Sequence, residues 1–231
     1  MPSNSVDKVP RFGSAVTASD AKLDYKIIIM GAAGVGKTAI VQQFLYEIFP
    51  VEHIPTVEEL HRAEFELKGT GKLVLDILDT SGTYQFPAMR QLAINNGDAF
   101  ILVYSIDNAD SFEEVRRLKD AINGEWAANG QKVPPIVVAG NKTDVEEKRV
   151  VKKELAETVI AIDWEIGFSE CSAIRNENVL KIFQKLLVQA RTPYALSSNM
   201  IKKRRQSLPN YPLVPFKEKE ATVKRNSCAV S

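Results

Sequence analysis

Hydrophobic positions in this chain fall at two spacings. Tyr25–Met30 is a short run, apolar enough to predict a strand buried on both faces. Residues 63–68 alternate, with Ala63, Phe65 and Leu67 apolar and Glu64, Glu66 and Lys68 polar, the signature of a half-exposed strand. Gly69-Thr70-Gly71 closes a turn, and Lys72–Asp79 returns as a second strand, so an antiparallel hairpin is expected. Phe100–Ile106, Ile136–Gly140 after Pro134-Pro135, and Phe168–Cys171 read as further strands.

Helical spacing takes over between them. Ile40, Val41, Phe44 and Leu45 predict a helix ending near Pro50, and Pro87–Asn95 predicts a short one. Ser111 followed by Glu113 and Glu114 reads as a cap with an acidic first turn, opening a helix that runs to about Ala127. A short helix is expected over residues 152–160. Val179, Ile182, Phe183, Leu186 and Leu187 make the last, to about Arg191. Residues 48–59, with Pro50 and Pro55, read as irregular loop. Strands alternating with helices around one hairpin predict a three-layer α/β fold, with a mostly parallel six-stranded sheet and one antiparallel strand.

The pattern covers residues 23–192. Residues 1–22, rich in Ser, Pro and charge, read as a disordered leader. They lack the apolar core of a signal peptide, and Pro2 excludes N-myristoylation. Residues 193–231 read as a flexible tail in which Pro193, Pro209, Pro212 and Pro215 forbid a long helix. The net charge of +1 hides an asymmetry. From Ser197 onward eight basic and two acidic residues give +6, which leaves −5 on residues 1–196. A mildly acidic body argues against a nucleic-acid surface, and the basic tail points to an anionic partner. Two cysteines, Cys171 and Cys228, are no disulfide framework and suggest a reducing compartment. No apolar run is long enough to span a bilayer.

The candidate chemistry begins where the first strand should turn into the first helix. Gly31-Ala32-Ala33-Gly34-Val35-Gly36-Lys37-Thr38 has the spacing of a phosphate loop. Backbone N–H groups in such a turn point inward and form an anion nest, and the following helix N-terminus, from Ala39, adds partial positive charge. Lys37 can reach β- and γ-phosphates, and the Thr38 hydroxyl can bind Mg²⁺. A phosphate loop alone leaves ATPase, nucleoside kinase and GTPase open. Two later segments choose between them.

Asp79-Thr80-Ser81-Gly82 closes a strand. A carboxylate there can hold Mg²⁺ through water, and Gly82 leaves room for its N–H to approach a γ-phosphate. Asn141-Lys142-Thr143-Asp144 follows the strand Ile136–Gly140, at the sheet end where open α/β folds bind ligands. Guanine presents two donors on one edge, N1–H and the N2 amine. The Asp144 carboxylate can accept both, and adenine cannot offer them. Asn141 can support the base and the neighbouring loops, the aliphatic stem of Lys142 can lie across the ring, and Ser172-Ala173 can supply a backbone donor for the guanine oxygen.

This order of motifs resembles the Ras superfamily of small GTPases over about residues 24–192. The wording Leu75-Asp76-Ile77-Leu78-Asp79-Thr80-Ser81-Gly82, Phe86-Pro87-Ala88-Met89-Arg90 and Asp110-Ser111-Phe112-Glu113-Glu114-Val115 is similar to the Dexras/Rhes branch, with Di-Ras next. The resemblance implies that Thr56 binds Mg²⁺ and the γ-phosphate, and that Phe49 packs against guanine. It also implies effector contacts through residues 51–60 and 81–96, and regulation by an exchange factor and a GTPase-activating protein. Lys37, Thr56 and Gly82 would then be the catalytic groups.

The chain departs from that family's usual pattern at four places. Ala33 stands where the family has glycine, and its methyl would crowd an arginine finger. Thr83 stands at the position of the water-orienting glutamine, and Gln85 lies two positions late. Rap proteins resemble this chain in having threonine there, and their activators supply an asparagine in trans. His53 replaces a switch tyrosine, and Ile174 a lysine. His61, beside Arg62, has no metal-like partner and is expected at the surface.

The sequence ends Cys228-Ala229-Val230-Ser231, a prenylation box in which serine favours farnesyl. One lipid binds a membrane only marginally, and Lys202–Arg205 with Lys224-Arg225 can add attraction to anionic lipids. The expectation is a GTP/GDP- and Mg²⁺-binding switch, slow in hydrolysis, on the cytoplasmic face of the cell membrane with a fraction in the cytoplasm. The alternative is a constitutively GTP-bound interaction module with negligible hydrolysis.

Overall fold

The computed structural model describes residues 24–50, 55–67, 71–82, 87–191 and 196. The N-terminal segment and most of the tail therefore lie outside the described residues, as do His53, Thr83, Tyr84, Gln85 and Cys228. Six strands form one sheet: β1 (Asp24–Gly31), β2 (Glu59–Leu67), β3 (Gly71–Asp79), β4 (Ala99–Ser105), β5 (Ile136–Asn141) and β6 (Gly167–Glu170). Their order is β2-β3-β1-β4-β5-β6. All neighbours are parallel except β2 and β3, which pair antiparallel from Glu59↔Asp79 to Leu67↔Gly71. This is the α/β architecture expected from the strand and helix pattern.

The helices are α1 (Lys37–Tyr46), α2 (Pro87–Asn96), α3 (Ala109–Ala128), α4 (Lys153–Glu157) and α5 (Val179–Gln189). They cover the two faces of the sheet. Successive residues of β1 go to opposite faces: Ile27 and Ile29 join one core with α1 and α5, and Ile28 and Met30 join the other with α2 and α3. Both-face burial is why this strand reads as an unbroken apolar run. Each such aliphatic side chain contributes about 1.5–3 kcal/mol on removal from water. In the first core the rings of Phe44 and Phe183 stack with centroids 3.6 Å apart. Leu196 is buried in the same core, and its carbonyl accepts a 2.6 Å bond from Gln184 Nε2 on α5. In the second, the Trp126 indole N–H on α3 donates to the Ile94 carbonyl in the last turn of α2, 3.3 Å away. Among the described residues no helix is long and apolar enough to cross a membrane.

Several boundaries differ from expectation, each for a local reason. The α1 helix stops at Tyr46 because Glu47 turns left-handed and its N–H returns to the Gln43 carbonyl. The β2 strand begins at Glu59, inside the stretch read as loop, because the alternation of Ala63 and Phe65 continues one step back to His61. The α3 helix is capped by Asn108, whose Oδ1 accepts from the Ser111 N–H at 3.0 Å. Ser111 is not the cap. Its hydroxyl is buried and donates to the Asn108 carbonyl at 2.6 Å. The helix expected over 152–160 is split: α4 ends at Glu157, and Thr158–Asp163 continues as a wider π-type turn.

Candidate functional site

The phosphate-loop sequence links β1 to α1. Gly36 opens α1 in the left-handed region at φ 95°, where a Cβ would stand 2.3 Å from Asn141 Nδ2. Glycine is therefore required both by backbone conformation and by the approach of Asn141. No side chain caps the first turn of α1 among the described residues, so its amides keep their attraction for an anion. Lys37 lies folded across the loop, and its Nζ donates to the carbonyls of Gly31 and Ala32, each at 2.9 Å. Burial pulls the Lys37 ammonium down to about 8, against the pull of Asp79. Ala33 and Gly34 are exposed, and Val35 and Ala39 are buried beneath them.

Asp79 ends β3 beside this loop. The Thr38 hydroxyl donates to Asp79 Oδ2 at 2.5 Å and lies 2.6 Å from the Thr56 hydroxyl. Three oxygen-bearing side chains from α1, β3 and the loop before β2 thus meet at one point. Burial pushes the Asp79 carboxyl up to about 6, while Thr38 and Lys37 pull it down and Glu59 adds to the rise. Its Oδ1 is buried and has no hydrogen-bond partner among the described residues. An orphaned carboxylate oxygen next to two hydroxyls fits a hard cation such as Mg²⁺. No cluster of three or more His, Cys, Asp or Glu side chains occurs among the described residues, so a cation here would rest on Thr38 and Thr56, on Asp79 through water, and on phosphate oxygens. Gly82 packs on the loop backbone, where a Cβ would come within 2.3 Å of the Ala33 Cα.

The base-recognition candidates gather at the ends of β5 and β6. Asn141 ties them to the phosphate loop: its Nδ2 donates to the Val35 carbonyl at 2.9 Å, and its Oδ1 accepts from the Ala173 N–H at 3.1 Å. Lys142 takes the left-handed conformation and turns the chain into the 3-10 turn Thr143–Lys148, which presents Asp144. Asp144 Oδ1 accepts from the Ser172 hydroxyl at 2.6 Å. The backbone donors expected for a guanine oxygen are engaged inside the chain. The Ser172 N–H pairs with the Glu177 carbonyl at 3.1 Å, and the Ala173 N–H with Asn141. A base oxygen at Ala173 would share or displace the Asn141 contact. Phe49, expected against the base, is half-buried and packs on the first core beside Ile48.

Two site features escaped the sequence. His61, expected at the surface, is buried in β2, with Nδ1 3.2 Å from the Tyr46 hydroxyl and Nε2 3.7 Å from the Glu59 carboxylate. Its two-residue spacing from Ala63 and Phe65 was the available signal. Arg149 sits at the end of the charged run Glu146-Glu147-Lys148, to which the sequence pattern assigns no role. Its guanidinium is instead held between Glu146 and Glu170.

The Ras family matches this chain over residues 26–192. Among similar proteins, the human GTP-binding protein Rhes is 39% identical over 197 residues, 83% of this chain and 74% of its own length. GTP-binding protein drn-1 of Caenorhabditis elegans is 39% identical over 175 residues, 76% of this chain and 78% of its own. Mouse Rhes is 39% identical over 191 residues, 80% of this chain and 71% of its own. With a phosphate loop, an Asp79-Thr80-Ser81-Gly82 turn and an Asn141-Lys142-Thr143-Asp144 segment in that order, the chain belongs to the Ras family of GTPases, which hydrolyse GTP to GDP.

Proposed function

We propose that this GTPase is a slow, membrane-attached signalling switch, read by effectors through residues 51–60 and 81–96. The observation that carries the switch is the Thr56 hydroxyl, 2.6 Å from that of Thr38. A side chain of the effector loop and one of the phosphate loop converge beside Asp79. A nucleotide that draws on both hydroxyls orders the loop, and one that draws on Thr38 alone releases it. Mg²⁺, when bound, neutralises charge on the β- and γ-phosphates. Lys37 and the uncapped start of α1 hold the phosphates, the Gly82 N–H faces the γ-phosphate, and Asp144 accepts the guanine edge. Water attacks the γ-phosphorus in line as the bond from that phosphorus to the β,γ-bridging oxygen breaks. The electron pair leaves on GDP, a water proton passes to a phosphate oxygen, and phosphate is released.

Two residues support slow hydrolysis. Thr83 has no amide to orient the attacking water, and the Ala33 methyl stands at the exposed side of the loop, where an arginine from an activating partner would enter. Val57 and Leu60, exposed in the first switch segment, and Met89 and Leu92, exposed in the second, support contacts with effectors, exchange factor and activating protein there. Farnesylation at Cys228, with the basic residues Lys202–Arg205 and Lys224-Arg225, supports attachment to anionic lipids at the cytoplasmic face of the cell membrane, leaving a cytoplasmic fraction.

Ala33 and Thr83 together also favour a second reading, a GTP-loaded module regulated by its amount. Nucleotide recovered from protein purified from its own cells, with single-turnover GTP hydrolysis with and without lysate, separates the two. Bound GDP and hydrolysis accelerated by lysate support the cycling switch. Bound GTP with no hydrolysis in either condition supports the module. Hydrolysis by the purified protein as fast as that of ordinary Ras overturns the slow rate.

A further inference from the structure

The geometry points to Arg149 as a positioning residue that holds the base-recognition turn, an inference that rests on the guanine role assigned to Asp144. A guanidinium has five N–H donors in a planar fork. In this structure all five have acceptors. Nε and Nη2 donate to the two carboxylate oxygens of Glu146, at 2.6 and 2.7 Å. Nη1 and Nη2 donate to the two of Glu170, at 2.7 and 3.1 Å. Nη1 also donates to the Val151 carbonyl at 3.0 Å. Two bidentate carboxylate pairs on one planar group fix its orientation in both directions, which one point charge on a flexible stem cannot do.

The partners stand on the two segments that frame the base. Glu146 is in the turn Thr143–Lys148, two residues after Asp144. Glu170 ends β6, two residues before Ser172, whose hydroxyl holds the Asp144 carboxylate. One rigid group therefore spans the turn that presents Asp144 and the strand end that supports it. The two pairs are not equivalent. Glu146 is 63% exposed, whereas Arg149 and Glu170 are 13% and 10% exposed. The Glu170 pair anchors the clamp in the fold, and the Glu146 pair transmits its position to the turn.

The asymmetry gives a test that separates positioning from folding. Arg149→Ala leaves the mostly buried Glu170 carboxylate without its partner and lowers stability. Glu146→Ala cuts only the exposed arm and leaves the Glu170 pair in place, and Arg149→Lys keeps the charge without the fork. Asp144 accepts two donors from guanine and only one from hypoxanthine, so a turn held out of register loses more with GDP than with IDP. The measurement is release of GDP and of IDP from each folded variant, with folding checked by thermal melts. GDP release is expected to quicken roughly two- to fivefold in Glu146→Ala and about tenfold or more in Arg149→Ala, with Arg149→Lys between. The preference for GDP over IDP shrinks in the same order. GDP release unchanged in folded Glu146→Ala and Arg149→Lys overturns the inference, as does equal acceleration of GDP and IDP. A parent protein that shows no preference for GDP over ADP overturns the guanine reading itself, a separate failure seen before any variant is made.

Discussion

His61 and Asp79 are buried ionisable groups on neighbouring strands, and burial moves them in opposite directions relative to neutral pH. Asp79 is pushed up to about 6, so its carboxylate is ionised near pH 7 against the cost of desolvation, which two hydroxyls and a cation are suited to offset. The His61 imidazole is held below the ordinary histidine value of 6.5, mainly by burial, with Glu59 opposing. The sign of its contribution follows from proton counting. The unfolded chain takes up a proton near pH 6.5 and the folded chain resists it, so stability falls as pH drops below about 6.5. A His61→Phe variant keeps a buried ring and loses that titration, at the cost of the Tyr46 contact. The difference in Tm between the parent and His61→Phe should therefore move against the parent between pH 7.5 and pH 5. A constant difference across that range would mean that His61 titrates alike in both states.

The helices and strands show what a pattern can and cannot deliver. The strands buried on both faces were legible because Ile27 through Met30 leave no polar position to misplace. The phosphate loop, Asp79 turn and Asn141 segment were legible because their spacing has few uses outside a strand end. The start of α3 was less so. Asn108 and Ser111 both suit a cap, and only geometry distinguishes the acceptor, Asn108 Oδ1, from the buried hydroxyl three residues on. Asn108→Ala should cost about 1 kcal/mol, read as a shift of the urea midpoint at constant slope. Arg149 was illegible for a different reason. Glu146, Lys148 and Arg149 have the composition of a solvated turn, and nothing local says that Glu170, far along the chain, closes over one of them. Where two segments meet only through tertiary contact, spacing within either segment is silent.

At the scale of the molecule, the nucleotide-site candidates among the described residues lie at one rim of the sheet, and the two cores beneath it explain why. The β1, β3, β5 and β6 strands run parallel, so the loops that follow them emerge on the same side. Cys171 shows how tightly that rim is packed. Its thiol is fully buried, lies 3.5 Å from Asn141 Oδ1, and burial holds it far above the usual thiol range. Alkylation of Cys171, followed by peptide mapping, should be slow in the native protein, should quicken on unfolding, and should slow further when GDP and Mg²⁺ are added. Rapid native labelling at Cys171 would show that the rim opens locally. The bond between α2 and α3 carries a different consequence. The chain has two tryptophans. Trp126 donates its indole N–H to the end of α2, while Trp164 stacks on Phe112 with the Lys119 ammonium 4.9 Å above its ring. One fluorophore is therefore wired to the last turn of α2 and the other to the opposite end of α3, so the protein's own ultraviolet emission is an optical gauge of α2, with its reference built in.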